Sequence, residues 1–283
     1  MSFDPAEHRR VSAEHWQEAA PGWTRRQEMM RQFAAPVSRW LVDALHPQPG
    51  HRVLELAAGI GDTGFLAAES IVPGGKLICT DQSEGMLDAA RARAGSLGLE
   101  DVEFRVINAE WIDLPVAGVD GVVCRWGYML MADPGAALAE TRRVLRPGGR
   151  VALAVWDRLE RNPWAALPAL ALREHGVARD PDPGAPGPFA LSDAARVAEL
   201  LREAGFADAE VQALDIEQHH ANFDAFWETA LDIGRGFHDA VLGLPQAQAD
   251  DIRNDLRRLT APFGTPEGAL TIPGRTLVAT AEA

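Results

Sequence analysis

Val53-Leu54-Glu55-Leu56-Ala57-Ala58-Gly59-Ile60-Gly61-Asp62-Thr63-Gly64 joins an apolar strand carrying one acid to a glycine-rich turn that opens a helix. Gly59 and Gly61 let the backbone turn tightly and approach a ligand with no Cβ in the way, and a helix starting near Asp62 points free N–H groups at the same spot. A nucleotide-type cofactor is held in this manner. On its own, Gly-x-Gly-x-x-Gly is common to dinucleotide oxidoreductases and other nucleoside binders, so the flanking residues decide between them.

Asp81 closes a second strand, Lys76-Leu77-Ile78-Cys79-Thr80-Asp81, twenty residues beyond Gly61. An acid at that tip accepts both hydroxyls of a ribose, which suits NAD and S-adenosylmethionine (SAM) equally. Glu55 separates them: it sits inside the first strand, four residues before Gly59, where a dinucleotide fold carries apolar residues. A carboxylate there favours a ligand with nearby positive charge, such as the ammonium and sulfonium of SAM, and repels a pyrophosphate. The alternative is that Glu55 is a paired, buried acid that orients the loop.

Further pieces follow in order. Val102-Glu103-Phe104-Arg105-Val106-Ile107 alternates like a strand and ends in Asn108-Ala109-Glu110, where a polar side chain plus backbone could read an adenine edge. Val119 to Trp126 is a near-continuous apolar run, as expected of a central parallel strand whose end faces the cofactor. A helix from about Pro134 to Leu145, the turn Arg146-Pro147-Gly148-Gly149 and a fifth strand, Arg150 to Trp156, complete the series.

With Leu54 to Gly64, Thr80-Asp81-Gln82-Ser83-Glu84-Gly85-Met86-Leu87 and Arg142 to Gly149 at this spacing, the chain resembles the class I SAM-dependent methyltransferases of the ubiquinone/menaquinone-biosynthesis-like (methyltransferase type 11) group. The resemblance covers about residues 36 to 156. It implies an α/β fold, a Rossmann-like seven-stranded mostly parallel sheet with an antiparallel last strand, and SAM as cofactor. It places cofactor contacts at Glu55, Ala57, Gly59 and Gly61 in the loop, and at Asp81, Gln82 and Met86 after the second strand. Asn108, Ala109 and Glu110 follow the third strand; Arg125 ends the fourth, where it suits the cofactor's methionine carboxylate or a substrate acid. Two departures stand out: Ala58 where many members have the first glycine, and Asn108, still able to accept from an adenine amino group, where many have aspartate.

At 283 residues and 47% hydrophobic, the chain fits one large α/β domain with insertions. A net charge of -14 argues against nucleic acid as substrate. The pairs Arg142-Arg143 and Arg257-Arg258 fall in expected helices and read as solvated faces. Cys79 and Cys124 read as small buried residues, and no Cys or His spacing suggests a metal. The first residues lack the apolar core of a secretory signal, and no apolar run reaches the roughly 18 residues that span a bilayer. The expectation is a soluble cytoplasmic protein with a small-molecule substrate and no membrane partner.

Residues 1–50 read as an N-terminal helical cap, with helices over 13–20, 24–33 and 37–45 punctuated by Pro21-Gly22. Residues 51–283 read as the methyltransferase domain, with insertions at 157–191 and 222–270 forming a substrate lid. Asp180 to Phe189 is too rich in proline and glycine for regular structure. Ser192 to Gly205 reads as a capped helix, strand six runs near 209–219, residues 222 to about 259 are helical, and 271–281 form the antiparallel last strand beside strand six.

Methyl transfer from a sulfonium is an in-line displacement that chiefly needs alignment and exclusion of water. For a phenolic acceptor a histidine base helps, and His219 and His220 at the end of strand six are the candidates; the alternative is a pair of edge histidines with no role. Trp126, Tyr128 and Met129, which follow strand four, are expected on the substrate wall, and Trp23 is read either there or as packing between helices and sheet. Phe223, Phe226 and Trp227 have the helical spacing of a core stripe. The acceptor expected is small, aromatic or polyketide-like, methylated at oxygen, carbon or nitrogen. The other reading is a SAM-binding protein with a structural or non-methyltransfer role. Aromatics in the N-terminal and lid helices leave room for a homodimer.

Overall fold

In the computed structural model, which describes residues 3–177 and 184–283, the apolar runs become seven strands of one sheet. In chain order the elements are α1 (Pro5–Arg25), α2 (Gln27–Leu45), β1 (Arg52–Glu55), α3 (Asp62–Ile71), β2 (Lys76–Asp81), α4 (Glu84–Leu97), β3 (Val102–Val106), β4 (Val119–Arg125), α5 (Pro134–Val144) and β5 (Leu145–Trp156). Then come α6 (Pro163–Glu174), α7 (Ala194–Glu203), β6 (Ala207–His220), α8 (Phe223–Ile233), α9 (Arg235–Leu242), α10 (Gln246–Thr260) and β7 (Leu270–Glu282).

The strand order is β3-β2-β1-β4-β5-β7-β6, with β1 to β5 paired in parallel and β7 antiparallel to both β5 and β6. The antiparallel ending expected from the sequence is therefore present, with β7 inserted between β5 and β6. Central strands covered on both faces read as unbroken apolar runs: Val122, Val123 and Cys124 of β4 are fully buried. The edge strand β6 alternates instead, with Ile216, Gln218 and His220 buried and the residues between them exposed.

Two features depart from the expected N-terminal cap. α1 runs unbroken through Pro21 although proline removes a helix hydrogen bond. Tertiary contacts hold it: Gly22 lies so close to the Asp232 carbonyl of α8 that a Cβ would overlap it, and Asp232 accepts from Arg25 (2.5 Å) and Arg26 (2.6 Å). α2 also continues through its proline, Pro36, and is no cap; Phe33, Val37, Leu41 and Leu45 enter the main core beneath the sheet.

A second core forms where α6, α8 and α10 meet the ends of β6 and β7, and Phe223, Phe226 and Trp227 are buried in it, as their spacing suggested. Of the expected loop at 180–189, residues 180–183 lie outside the described residues; 184–189 form turns and bends with one unassigned residue. Among the described residues no helix is long and apolar enough to cross a membrane.

Candidate functional site

β1 ends at Glu55, and the chain then makes three left-handed turns, at Ala57 (φ 50°), Gly59 (φ 53°) and Gly61 (φ 83°). The position that would favour the missing glycine is thus Ala57, not Ala58; a left-handed alanine costs roughly 1–2 kcal/mol. A Cβ on Gly61 would overlap the Phe65 ring, so this residue serves the turn and is not on the wall of the cleft. A Cβ on Gly59 would meet no protein atom within 4 Å and would stand in open space.

Glu55 faces away from that space. It is 3% exposed, its Oε1 accepts from the Gly64 N–H at 2.8 Å, and the absence of a Cβ on Gly64 is what gives Oε2 its room. Glu55 does not border the cleft where a cationic ligand was expected to meet it; the alternative reading, a buried acid anchoring the loop, describes the geometry. Burial pushes its pKa up to about 7, against the pull of the Gly64 N–H and the Arg125 charge.

The ends of β2, β3 and β4 supply the walls of a cleft beside the loop. Asp81 borders it while its carboxylate accepts from the N–H groups of Gly59 and Ser83, both at 2.9 Å. Gln82 and Met86 follow on the same wall. Asn108 Oδ1 accepts from the Glu110 N–H at 2.9 Å, which shapes the Asn108-Ala109-Glu110 corner into a polar edge. Arg125 ends β4 with its side chain 9% exposed; Nη2 donates to Asp62 (3.1 Å), which also pairs with Arg93. Arg125 Nη1 is buried with no partner, and the guanidinium lies 4.9 Å from the Trp126 ring centroid. Trp126 itself takes φ 59°, held by its N–H to Ala154 (2.8 Å) and its indole N–H to Thr276 (3.0 Å).

α1 roofs the cleft; of its residues, sequence reasoning named only Trp23 as a wall candidate. His8, Arg9, Ser12, Trp16 and Trp23 line its underside. His8 Nε2 donates to the Leu130 carbonyl (2.9 Å), Arg9 pairs with Glu110 (2.5 Å) and Ser12 accepts from Gln82 (2.9 Å). Gln17 Oε1 accepts from the Gly85 N–H at 2.8 Å. Trp16 and Trp23 meet edge to face at 5.8 Å, and the Trp23 indole N–H is buried without a partner.

Besides Glu55 and Gly61, four expected residues lie elsewhere. His219 is exposed, 3.3 Å from Thr271, and His220 faces the opposite side of β6, edge-on to Phe226. Burial, with the Arg26 and His219 charges adding to it, pushes His220 down to about 4. Neither borders the cleft, because β5 and β7 separate β6 from β4. Met129 and Tyr128 turn into the core: Tyr128 is fully buried and its hydroxyl donates to Thr141 (2.7 Å). Tyr128→Phe is therefore expected to lower unfolding free energy by about 1–2 kcal/mol in urea titrations, with no change in cofactor affinity.

Residues 53–149 match the family model described as a methyltransferase domain. The ubiquinone/menaquinone biosynthesis C-methyltransferase UbiE of Acidiphilium cryptum is 34% identical over 183 residues, 59% of this chain and 71% of that protein. The chain belongs to the class I SAM-dependent methyltransferases. Within that family it falls in the UbiE-like group. Nocamycin O-methyltransferase of Saccharothrix syringae is 35% identical over 122 residues, 43% of this chain and 44% of that protein, so the methyltransferase chain spans about half the length of such curated relatives. Among solved structures, YcgJ of Bacillus subtilis superposes with a TM-score of 0.59 at 19% identity, over 87% of this chain and 97% of that one, a likeness of fold.

The cofactor of this family is SAM, and the cleft fits it on three counts. The orphaned Arg125 Nη1 awaits an anionic oxygen such as the methionine carboxylate. Asp81, with one donor on each oxygen, keeps lone pairs for ribose hydroxyls. Gly59 leaves open the space its Cβ would fill.

Proposed function

We propose that this chain methylates a small-molecule acceptor with SAM as donor, the acceptor being aromatic or polyketide-like. The observation that carries the reading is the orphaned Arg125 donor in a roofed cleft at the carboxyl ends of β1, β2 and β4, the position where open α/β sheets bind ligands. The small-molecule acceptor is supported by relatives whose names specify a quinone-pathway and a nocamycin methylation. Macromolecular acceptors suit it poorly, since α1 covers the cleft and the net charge is -14.

When bound, SAM supplies an electrophilic methyl on a sulfonium. The chain's own residues bind and orient: Asp81 at the ribose, the Asn108 corner at the adenine, Arg125 at the methionyl end. Met86, Trp16, Trp23 and Trp126 exclude water around them, which strengthens every electrostatic contact inside. No nucleophilic side chain is needed for an in-line displacement. Incubating the protein with methyl-labelled SAM and a fraction of aromatic and polyketide metabolites is expected to place label in an organic-extractable small product. Label retained wholly in SAM across such fractions, with binding intact, would count against methyl transfer.

A further inference from the structure

A second cavity, of about 210 Å³, lies within the helices that follow β5 and β6 and shares no wall residue with the cofactor cleft. Trp164, Pro168 and Leu172 of α6 form one side, and Ile233 and Phe237 of α8 and α9 the other. Among the described residues no Asp, Glu, Lys or Arg borders it, so these walls offer a charged occupant no counter-charge. The Trp164 ring is fixed by its indole N–H to Asn162 (3.0 Å), and Asn162 is itself fully buried and bonded to Arg275 of β7 (3.0 Å). One wall of the cavity is therefore rigid.

Gln218 breaks the apolar lining. It is 2% exposed, set on the inner face of β6 by strand alternation. Its Oε1 accepts from His220 Nε2 at 3.2 Å, and among the described residues this is the side chain's one hydrogen bond. Both amide N–H groups are then left for something else. A ligand oxygen that enters the cavity can accept from them. Thr229, the other polar residue on the wall, already donates to the Ala225 carbonyl at 2.7 Å.

We infer that this cavity is a second small-molecule site, which takes a neutral ring compound bearing a carbonyl or ether oxygen, with Gln218 Nε2 as the donor to that oxygen. The lining matches that of ligand pockets, which are mostly apolar with a few placed polar groups. The inference does not depend on methyl transfer, and its test does not read activity.

The full chain, saturated with S-adenosylhomocysteine so that the cofactor cleft is filled, is titrated with 1-tetralone and with tetralin, its hydrocarbon counterpart. Both are expected to bind. Gln218→Met should weaken 1-tetralone about fivefold to tenfold and leave tetralin within about twofold, as expected for loss of one hydrogen bond. Ala169→Phe, which fills the cavity, should abolish binding of both probes. S-adenosylhomocysteine affinity should stay at the wild-type value in both variants. Absence of 1-tetralone binding, its displacement by S-adenosylhomocysteine, or equal losses of both probes in Gln218→Met would overturn the assignment. Persistence of binding in a folded Ala169→Phe protein would do the same; should that variant lose S-adenosylhomocysteine binding, the probe ratio in Gln218→Met decides alone.

Discussion

Arg125→Met is expected to weaken SAM binding by about tenfold to a hundredfold, the loss of one charge-assisted hydrogen bond worth roughly 1.5–3 kcal/mol. The side chain is 9% exposed and its Nη1 has no protein partner, so the ligand satisfies a donor that is otherwise stranded. Methionine keeps the apolar stem, and Arg93 keeps Asp62 paired, so the loop retains its anchor. Calorimetry with 5′-methylthioadenosine, which lacks the amino-acid end, provides the control. Its affinity should be nearly unchanged by the substitution. A parallel loss for both ligands would mean that Arg125 acts by shaping the loop and not through the methionine carboxylate.

Glu55→Gln should alter the pH dependence of stability strongly. The folded protein holds the Glu55 carboxyl up at about 7, against 4.5 for the free group, because burial disfavours the anion. A raised folded pKa means that the folded state binds the extra proton. Its contribution is fully present below 4.5 and is lost as pH rises through 7. Over that window the loss amounts to about 2–3 kcal/mol. Glutamine keeps an oxygen for the Gly64 N–H and cannot ionise. Urea unfolding at pH 5 and pH 8 should therefore show the variant gaining on the wild type by about that amount at the higher pH. Stability differences that do not change between the two pH values would contradict a buried, protonatable Glu55.

The parallel half of the fold was legible because burial on both faces writes strands as unbroken apolar runs, and the acid at Asp81 marks a strand tip by its position. The family resemblance pointed to Gln82, Met86, Asn108, Ala109, Glu110 and Arg125, and all six border the cleft. Glu55 was visible as an acid in a strand, but a sequence does not say on which side of a loop a carboxylate falls. The signal was Gly64, where the carboxylate fills the space a Cβ would take.

His219 and His220 were read from chain position. Strand order, which depends on β7 inserting between β5 and β6, moved them three strands from β4, or about 14 Å at the usual spacing. The roof residues His8, Arg9 and Ser12 left no trace in the periodicity of α1, because their partners are about 70 to 120 residues away and polar contacts of that range carry no sequence pattern. Pro21 and Gly22 likewise read locally as a break, and only the α8 ion pairs explain why the helix continues.

The helix lying across the cleft makes entry and departure one event. α1 is riveted to α8 at its carboxyl end and fastened at its amino half by His8, Arg9, Ser12 and Gln17, with Arg26 the one residue between it and α2. Fresh donor and spent nucleoside would have to pass beneath the same strap, so each cycle waits on the rupture of those fastenings. Turnover would then follow solvent viscosity, and loosening Arg9 or Gln17 would quicken exchange at the expense of dryness.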